Sequence, residues 1–336
     1  AIVAPERFHP ALSTFRDHRA AQRPTELASL EAILRTSPGV DDPEKLKHWL
    51  FTRWRDRGLR YVLLVGDASL LPVRYMVLDR VTPAAFDYAF YPSDLYYADV
   101  ARRDGSFDDW NAAREGFHAT YFGEVRGEKN KTDPINFDQV DYRPELAVGR
   151  WPVETAAEVE CVVFKTMAHE RWANPGQPAA APGPNPRLAA FVNIPGWVDA
   201  RARMRGWADA LPGGWSARLL PGQERGTPRE ADASRIVELL NTGVGLVVHT
   251  GHGQEDCWDG SLGVSDLKSL TNNDRLPVIL SAGCSTARFA TLPPYEAYED
   301  LHGVKHPGTN AGEVFRAPPP APSPYARGVF NLTGLG

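Results

Sequence analysis

Between residues 187 and 283 the chain alternates short apolar runs with amphipathic segments of helical length, and this alternation limits the possible folds most strongly. The apolar runs are "RLAAFVNI", "WSARLLP", "GLVVHT" and "LPVILSAG", and the segments between them are "ARARMRGWADAL", "ADASRIVELLNTG" and "SDLKSLTN". Strands that alternate with helices in this way form a parallel sheet with helices on both faces. The pattern therefore predicts an α/β/α layer structure for this part of the chain.

The first half of the chain follows the same plan less regularly. Helices are expected over "ELASLEAILRT" and over "PEKLKHWLFTRWRDRG", which ends at Gly58, and buried strands over "RYVLLVGD" and "ELAVGRWPV". A polar, Asp-rich stretch over residues 87–145 has little periodicity and predicts a long irregular excursion. A strong helix over "TAAEVECVVFKTMAHERW", capped by Thr155 or Glu154, follows it. These elements predict a first α/β subdomain.

A proline-rich segment separates the two halves. Residues 173–186, "ANPGQPAAAPGPNP", cannot lie inside a helix or strand, because proline removes a backbone donor and fixes φ. We therefore predict two α/β/α subdomains with mainly parallel sheets, over residues 1–172 and 187–336, joined by a linker over 173–186.

Composition excludes several classes of function. The chain has 37 basic and 42 acidic residues, interspersed along its length, so no patch for nucleic acid or an anionic membrane is expected. No apolar stretch approaches the roughly 18 to 20 residues that span a bilayer, and "AIVAPERFHP" lacks the features of a signal peptide. The missing initiator Met predicts a processed or trimmed chain. Three cysteines are too few for a disulfide framework and predict at least one free thiol.

Two strand ends carry side chains suited to nucleophilic catalysis. Active sites of parallel sheets collect beyond the carboxyl ends of strands, where "HTGHG" places His252 and "SAGCS" places Cys284. A thiolate is a strong nucleophile, and an imidazole can accept the thiol proton and return one to a leaving amine. Glycines on both sides of His252 allow close substrate approach, and the Gly253 and Cys284 amides could hold an oxyanion.

Other interpretations of these residues stay open at this point. A cysteine after a strand is usually a small core residue. His249, three residues before His252, is more typical of a strand-end histidine bonded to backbone than of a ligand. His249, His252, Cys257 and Cys284 together have the chemistry of zinc ligands, although their spacing fits no familiar zinc pattern.

Several segments resemble the gingipain family of cysteine peptidases, which are caspase-like enzymes of clan CD. The segments "GLVVHTGHGQEDCW", "LTNNDRLPVILSAGCSTARF" and "NAGEVF" are similar to its catalytic region, and "RYVLLVGDASLLPV", "PSDLYYADV" and "ELAVGRWPVETAAEVE" to its N-terminal subdomain. The similarity extends to about residue 316 and implies that the second subdomain is caspase-like. The resemblance makes His252 the general base and Cys284 the nucleophile. The caspase pattern Q-A-C-[RQG]-G is absent.

The resemblance also implies residues around the dyad. The family's acidic partner of the catalytic histidine falls on Pro195, which favours a plain Cys–His dyad. Thr250, Ala282 and Trp258 match positions at the substrate pocket, and Asp199 is the candidate carboxylate that selects a basic residue before the scissile bond. The alternatives are that Trp258 packs in the core and that Asp199 only caps the helix beginning at Ala200. An arginine among Arg201, Arg203 and Arg205 would instead select acidic residues.

The resemblance suggests a structural calcium ion and no cofactor for the chemistry. Aspartates at 94, 99, 104, 108 and 109 supply suitable oxygen ligands, with Asp99, Asp104 and Asp108 as the metal candidates; the alternative is a solvated acidic loop. Family members have a further strand after "GEVF", whereas this chain stops at "GVFNLTGLG". We therefore expect it to lack its C-terminal strands and to have a C-terminal fragment as a partner.

The sequence and the resemblance together predict a cysteine endopeptidase that acts on protein or peptide substrates, and the resemblance implies cleavage after a basic residue. Family resemblance implies a secreted or cell-surface location. The alternatives are a catalytically silent protein-binding domain and a zinc-site protein.

Overall fold

The computed structural model describes residues 1–39, 41–78, 89–110, 140, 142–173, 184–194, 199–221, 231–290, 298–300, 305–306 and 326–327. Within these ranges the chain forms two compact units, one from residues 1–160 with the described residues from 289 onward, and one from residues 161–288. The division falls within a helix, and the proline-rich residues 174–183 lie outside the described ranges. The predicted domain limits stay a prediction.

A four-stranded parallel sheet forms the centre of the first unit. In spatial order its strands are β2 (Leu27–Ser29), β1 (Ile2–Ala4), β3 (Tyr61–Val65) and β6 (Ala147–Trp151). The predicted strands over "RYVLLVGD" and "ELAVGRWPV" are therefore confirmed as β3 and β6. The sequence pattern did not reveal the three-residue strands β1 and β2.

Three helices accompany this sheet: α1 (His9–Ala20), α2 (Leu30–Thr36) and α3 (Asp42–Arg57). Asp41 caps α3 by accepting a hydrogen bond from the Glu44 N–H, and Gly58 ends the helix at φ 66°. The predicted helix over "ELASLEAILRT" is only partly correct, because its first residues form β2. Ser29 separates the two elements, since its hydroxyl accepts the Ala32 N–H and starts α2.

The predicted irregular excursion contains short regular elements. Strand β5 (Ala89–Ser93) pairs in antiparallel direction with β4 (Arg74–Leu78), which lies before the excursion, and the single-turn helix α4 (Leu95–Ala98) follows β5. Residues 111–139 of this excursion lie outside the described ranges.

Three further short strands form a small antiparallel sheet: β11 (Tyr298–Asp300), β12 (Lys305–His306) and β13 (Ala326–Arg327).

Helix α5 (Ala156–Trp172) begins in the first unit and continues into the second. Thr155 accepts the Glu158 N–H, and the Glu158 carboxylate accepts the N–H groups of Glu154 and Thr155. This reciprocal arrangement is a capping box, which confirms Thr155 as the cap of the predicted helix.

The second unit contains the predicted parallel sheet. In spatial order its strands are β10 (Val278–Ala282), β9 (Val244–Thr250), β7 (Asn185–Asn193) and β8 (Ser216–Leu220). The prediction that residues 173–186 lie outside any strand is therefore wrong at Asn185 and Pro186, which the start of β7 accommodates because its pairing is irregular between Asn185 and Ala189. Helices α6 (Arg201–Asp209) and α7 (Ala233–Asn241) connect strands as the alternation predicts, and Asp232 caps α7. The segment "SDLKSLTN" instead forms a 3₁₀ helix over Val264–Ser269. No helix in the described ranges is long and apolar enough to cross a membrane.

Candidate active site

The register of the second sheet aligns the two candidate catalytic residues. Strands β9 and β10 run in parallel, with Thr250 paired to Ala282 at their carboxyl ends. His252 and Cys284 each follow that last pair by two residues, at adjacent positions of one sheet edge. The Gly251 N–H donates to the Ala282 carbonyl at 3.2 Å and continues the alignment into the loops. The structure therefore brings the two loops together as the sequence predicted.

Close backbone approach explains the glycines on either side of His252. At Gly251, where φ is 138°, an added Cβ would lie 2.1 Å from the carbonyl oxygen of Ile194. A Cβ on Gly253 would lie 2.5 Å from the Thr286 methyl and 3.0 Å from the Cys284 carbonyl oxygen. Only glycine fits such approaches without displacing its neighbours. The histidine loop is thus held between the end of β7 and the cysteine loop.

Two backbone N–H groups beside the dyad make no hydrogen bond within the described ranges. Around Gly253, the Gln254 N–H donates to the Cys257 carbonyl and the Asp259 N–H donates to the His252 carbonyl. This antiparallel bridge uses the residues on both sides of Gly253 and leaves its own N–H unused. The Cys284 N–H, in the turn after β10, likewise has no acceptor among the described residues. Both amides are available to an added oxygen ligand.

The Cys284 thiol is exposed, and His252 is half-buried. Within the described ranges the two side chains share no hydrogen bond, and catalytic hydrogen bonds often tighten only when substrate binds. An ion pair between Arg288 and Glu255 joins the loops that follow the two residues. Cys161 is exposed on α5, whereas partial burial and the neighbouring Asp256 raise the pKa of the Cys257 thiol. Of the three thiols, Cys284 alone lies at the sheet edge beside His252.

His249 is fully buried, and its hydrogen-bond partner differs from the prediction. Its Nδ1 lies 2.9 Å from the Ser281 hydroxyl, a side chain rather than the expected backbone group. Ser281 is also its register partner on β10. The imidazole stacks on the Trp258 ring at 4.2 Å and 9°. Burial lowers the pKa of His249 to about 4, so the ring is neutral near pH 7.

The three predicted pocket residues besides Asp199 occupy different environments. Thr250 and Ala282 are register partners on one sheet face; Ala282 is exposed, and the Thr250 hydroxyl is buried with no hydrogen-bond partner in the described ranges. Trp258 is 0% exposed and packs in the core with the α7 side chains. His249 covers one face of its ring, which matches the packing alternative, and a contact between Trp258 and substrate stays a prediction.

Helix α6 begins at Arg201 with Ala200 as its N-cap residue, so Asp199 lies two residues before the helix and is not its cap as the alternative predicted; its side chain is 57% exposed. Its carboxylate accepts hydrogen bonds from the Arg201 guanidinium at 2.7 and 2.8 Å and from the Arg201 N–H at 3.0 Å. The Arg201 guanidinium lowers the pKa of Asp199 to about 2. The carboxylate is therefore charged and already paired with an arginine. Pro195 lies outside the described residues.

The predicted metal ligands do not fit a metal site. Within the described ranges, no group of three or more His, Cys, Asp or Glu side chains is arranged to hold an ion. Asp104 is exposed and accepts hydrogen bonds from Ser106, while Asp99 and Asp108 are buried near the Lys47 ammonium. The cation beside these two carboxylates is thus a lysine. Calcium or zinc bound elsewhere in the chain stays a prediction.

Comparison with known proteins agrees with the sequence resemblance. Residues 1–301 match the sequence model of Peptidase family C25. A segment of 80 residues is 36% identical to Gingipain R2 of Porphyromonas gingivalis, and covers 24% of this chain and 11% of that protein. A segment of 51 residues is 45% identical to Lys-gingipain of the same organism, covering 15% and 3%. The aligned segments are thus a small part of these longer relatives.

Solved structures show the same fold. The crystal structure of the Arg specific cysteine proteinase gingipain R has a TM-score of 0.54 at 19% identity, over 86% of this chain and 55% of that chain. The complex of Porphyromonas gingivalis RgpB pro- and mature domains gives 0.53 at 18%, over 84% and 55%. The chain thus spans little more than half of each structure, and the likeness concerns the fold. Since the family match extends over residues 1–301, the chain belongs to peptidase family C25, the gingipain family of cysteine peptidases.

Proposed function

We propose that this chain is a cysteine endopeptidase that uses Cys284 as nucleophile and His252 as general base. The observation that carries the proposal is the β9–β10 register, since His252 and Cys284 follow the paired residues Thr250 and Ala282 by the same two positions. Peptide hydrolysis also requires hydrogen-bond donors for the oxyanion, and the unused N–H groups of Gly253 and Cys284 supply a pair of them.

Acylation begins when His252 takes the thiol proton and the Cys284 sulfur attacks the peptide carbonyl carbon. The new S–C bond pushes one electron pair onto the carbonyl oxygen, which accepts hydrogen bonds from the Gly253 and Cys284 amides. The intermediate then collapses, the C–N bond breaks, and the imidazolium gives its proton to the leaving amine. The product of this half-reaction is a thioester on Cys284.

Deacylation repeats these steps with water. His252 removes a proton from water as the oxygen attacks the thioester carbon, and the same two amides stabilise the second oxyanion. Collapse breaks the S–C bond and releases a carboxylic acid, and the imidazolium returns its proton to the thiolate. The dyad needs no third side chain for this proton balance.

Substitution of each cysteine tests the assignment. Cys284→Ala should abolish peptide hydrolysis, whereas Cys161→Ala and Cys257→Ala should keep most of it. His252→Ala should lower kcat by about 10² to 10⁴, the usual contribution of general-base catalysis. A loss in Cys257→Ala as large as that in Cys284→Ala, with circular dichroism unchanged, would refute the choice of nucleophile.

We further propose that the pocket accepts a basic residue before the scissile bond, with Asp199 as its carboxylate. A guanidinium and a carboxylate form a bidentate pair, which favours Arg over Lys. Arg201 already pairs with Asp199, so substrate arginine must compete with it. Matched peptides with Arg, Lys, Asp or Leu at that position measure the preference. The proposal predicts that Asp199→Asn lowers kcat/KM for Arg peptides most, for Lys peptides less and for Leu peptides not at all, and a preference for Asp peptides would overturn it.

The rival function is a silent protein-binding domain. It is favoured by one observation, which is that the His252 and Cys284 side chains share no hydrogen bond in the described ranges. A thiol-reactive peptide probe separates the two functions, because an active dyad makes labelling of Cys284 depend on His252. Equal labelling rates in the original chain and in His252→Ala would favour the silent domain.

A further inference from the structure

A chain of side-chain hydrogen bonds runs beneath the cysteine loop. His249 Nδ1 lies 2.9 Å from the Ser281 hydroxyl oxygen, which lies 3.2 Å from the Thr286 hydroxyl oxygen. The Thr286 hydroxyl in turn donates to the Gly283 carbonyl at 3.0 Å. His249 and Thr286 are 0% and 4% exposed. The chain therefore starts in the core and ends on the residue before the proposed nucleophile.

The number of hydroxyl protons determines the direction of this chain. Each hydroxyl has one proton to donate. Thr286 uses its proton on the Gly283 carbonyl, so Ser281 must donate to Thr286. Ser281 then has no proton left for His249, and the imidazole must be the donor. His249 is therefore protonated on Nδ1, and each bond of the chain points toward Gly283.

The opposite ring nitrogen agrees with this tautomer. His249 Nε2 is buried with no hydrogen-bond partner within the described ranges, and the ring lies flat on Trp258. A bare lone pair in such surroundings costs less than a charged N–H without an acceptor. The packing thus favours a neutral ring whose single proton is on Nδ1.

Fixing the Gly283 carbonyl also fixes the neighbouring N–H. The peptide bond between Gly283 and Cys284 is planar, and in the trans form its C=O and N–H point in opposite directions. With the carbonyl held by Thr286, the Cys284 N–H must point away from Thr286. This is one of the two donors assigned above to the oxyanion.

We propose that His249 is a positioning residue that orients the Cys284 N–H through Ser281, Thr286 and the Gly283 carbonyl. The inference rests on the proposed peptidase function, because only that function gives the Cys284 amide an oxyanion to bind. His249 itself touches no reacting atom. Its effect belongs to the transition state and not to substrate affinity.

Thr286→Val tests the last bond of the chain, since valine keeps the shape and removes the hydroxyl. We expect kcat for peptide hydrolysis to fall by about 10- to 100-fold, which is no larger than the fall caused by removing one oxyanion donor completely. KM should stay within about twofold of its original value. Thr286→Ser restores the hydroxyl and should recover most of kcat. Alkylation of Cys284 by iodoacetamide forms no oxyanion, so its rate should stay within about twofold.

Thr242→Val is the matched control. The Thr242 hydroxyl donates to the Leu239 carbonyl, three residues earlier, as Thr286 does to Gly283. It lies at the end of α7 and outside the site, so kcat should not change. Three results would overturn the inference. They are an equal fall of kcat in Thr286→Val and Thr286→Ser, an effect of Thr286→Val on KM alone, or a fall in the alkylation rate as large as the fall in kcat.

An NMR measurement of the Cys284 amide tests the positioning role of His249 without depending on peptidase activity. Labelling with ¹⁵N-cysteine gives three amide signals, and Cys→Ala variants assign them. Thr286→Val, Ser281→Ala and His249→Phe should shift the Cys284 amide, whereas Thr242→Val should not. If the chain hydrolyses no peptide, the function fails and this signal still decides the positioning. An unmoved Cys284 amide, or ¹⁵N-histidine spectra with the His249 proton on Nε2, would refute it.

Discussion

The two units of the molecule bury polar groups in different ways. In the first unit the buried polar groups include ion pairs: Arg150 pairs with Asp94 at 2.7 Å and Arg74 with Asp41 at 2.9 Å, and the Lys47 amine is fully buried. In the second unit the chain of hydrogen bonds below the candidate site consists of neutral side chains, the buried imidazole of His249, the exposed Ser281 hydroxyl and the buried Thr286 hydroxyl. One unit therefore relies on ion pairs, and the other on hydrogen bonds.

The difference shows what each arrangement can do. An ion pair fixes the positions of two groups, but breaking it leaves a buried charge. A chain of neutral donors has a direction, because each hydroxyl has one proton, and can therefore orient a distant peptide group. We expect changes in the first unit to act mainly on stability. Changes in the second should act on catalysis at smaller cost in stability.

The largest stability effect is expected from Arg150→Met. The Arg150 guanidinium pairs with Asp94 and also donates to the carbonyl groups of Gly66, Leu71 and Pro72. Methionine leaves the carboxylate and three carbonyls without these donors, so we expect a loss of about 4 kcal/mol in the free energy of unfolding. Urea unfolding measures it.

Arg55→Met is the control for that change. Arg55 forms an ion pair with Asp56 at 2.7 Å on the exposed side of α3, where solvent screens the two charges, so its loss should change stability very little. Equal losses for the two variants would show that burial of the Arg150 pair has no special energetic weight.

Lys47→Met should destabilise the first unit by about 3 kcal/mol. Burial lowers the pKa of Lys47 to about 7, while Asp99 and Asp108 act in the opposite direction. Removing the ammonium leaves these two buried carboxylates without its charge. Lys45→Met is the matched control on the same helix, because its ion pair with Asp42 is partly exposed, and should cost under about 1 kcal/mol. A Lys47→Met variant as stable as Lys45→Met would contradict the electrostatic explanation.

The sequence predicted the elements that carry strong local signals. Helix α3 has an Asp cap and a glycine end, and strands β9 and β10 are apolar runs followed by "GHG" and "GCS". Parallel pairing of those two runs is enough to place His252 beside Cys284. For this reason the candidate dyad could be found without coordinates. Strands β1 and β2 were missed because three residues are too few to show a period.

Other features depend on contacts that a linear pattern does not contain. The sequence pattern predicts a backbone partner for His249, whereas the register pairs it with Ser281. Aligning the glycines of the two loops would have given that pairing in advance. The pairing of Asp199 with Arg201 is local, and the two-residue spacing before α6 could have suggested it. The position of Lys47 beside Asp99 and Asp108 spans distant parts of the chain and needed the fold.

The buried neutral histidine gives the second unit a pH dependence. The pKa of His249 is lowered from about 6.5 to about 4, so between these values the unfolded chain binds a proton that the folded chain does not. Stability therefore rises with pH across this window and is lost as pH falls through it. Between pH 7 and pH 4 the loss is about 3 kcal/mol for this one group.

His249→Phe isolates that contribution, since phenylalanine can stack on Trp258 and does not titrate. Urea unfolding at pH 7 and pH 4 should show a smaller acid loss in the variant than in the original chain. Carboxylates titrate in both proteins, so only the difference is assigned to His249. The same acid loss in both proteins would show that the ring does not stay neutral in the folded chain.

The smallest expected effect concerns Ser285, the residue after the proposed nucleophile, whose φ is 58°. Serine is strained in this left-handed conformation, so Ser285→Gly should stabilise the fold by up to about 1 kcal/mol. Asn273→Gly, at φ 46°, should gain less, because asparagine tolerates this region better. If the strain at Ser285 helps to position Cys284, together with the hydrogen bond from Thr286 to the Gly283 carbonyl, Ser285→Gly should also lower kcat while KM stays constant. A stability gain with unchanged kcat would show that the hydrogen-bond chain alone positions the nucleophile.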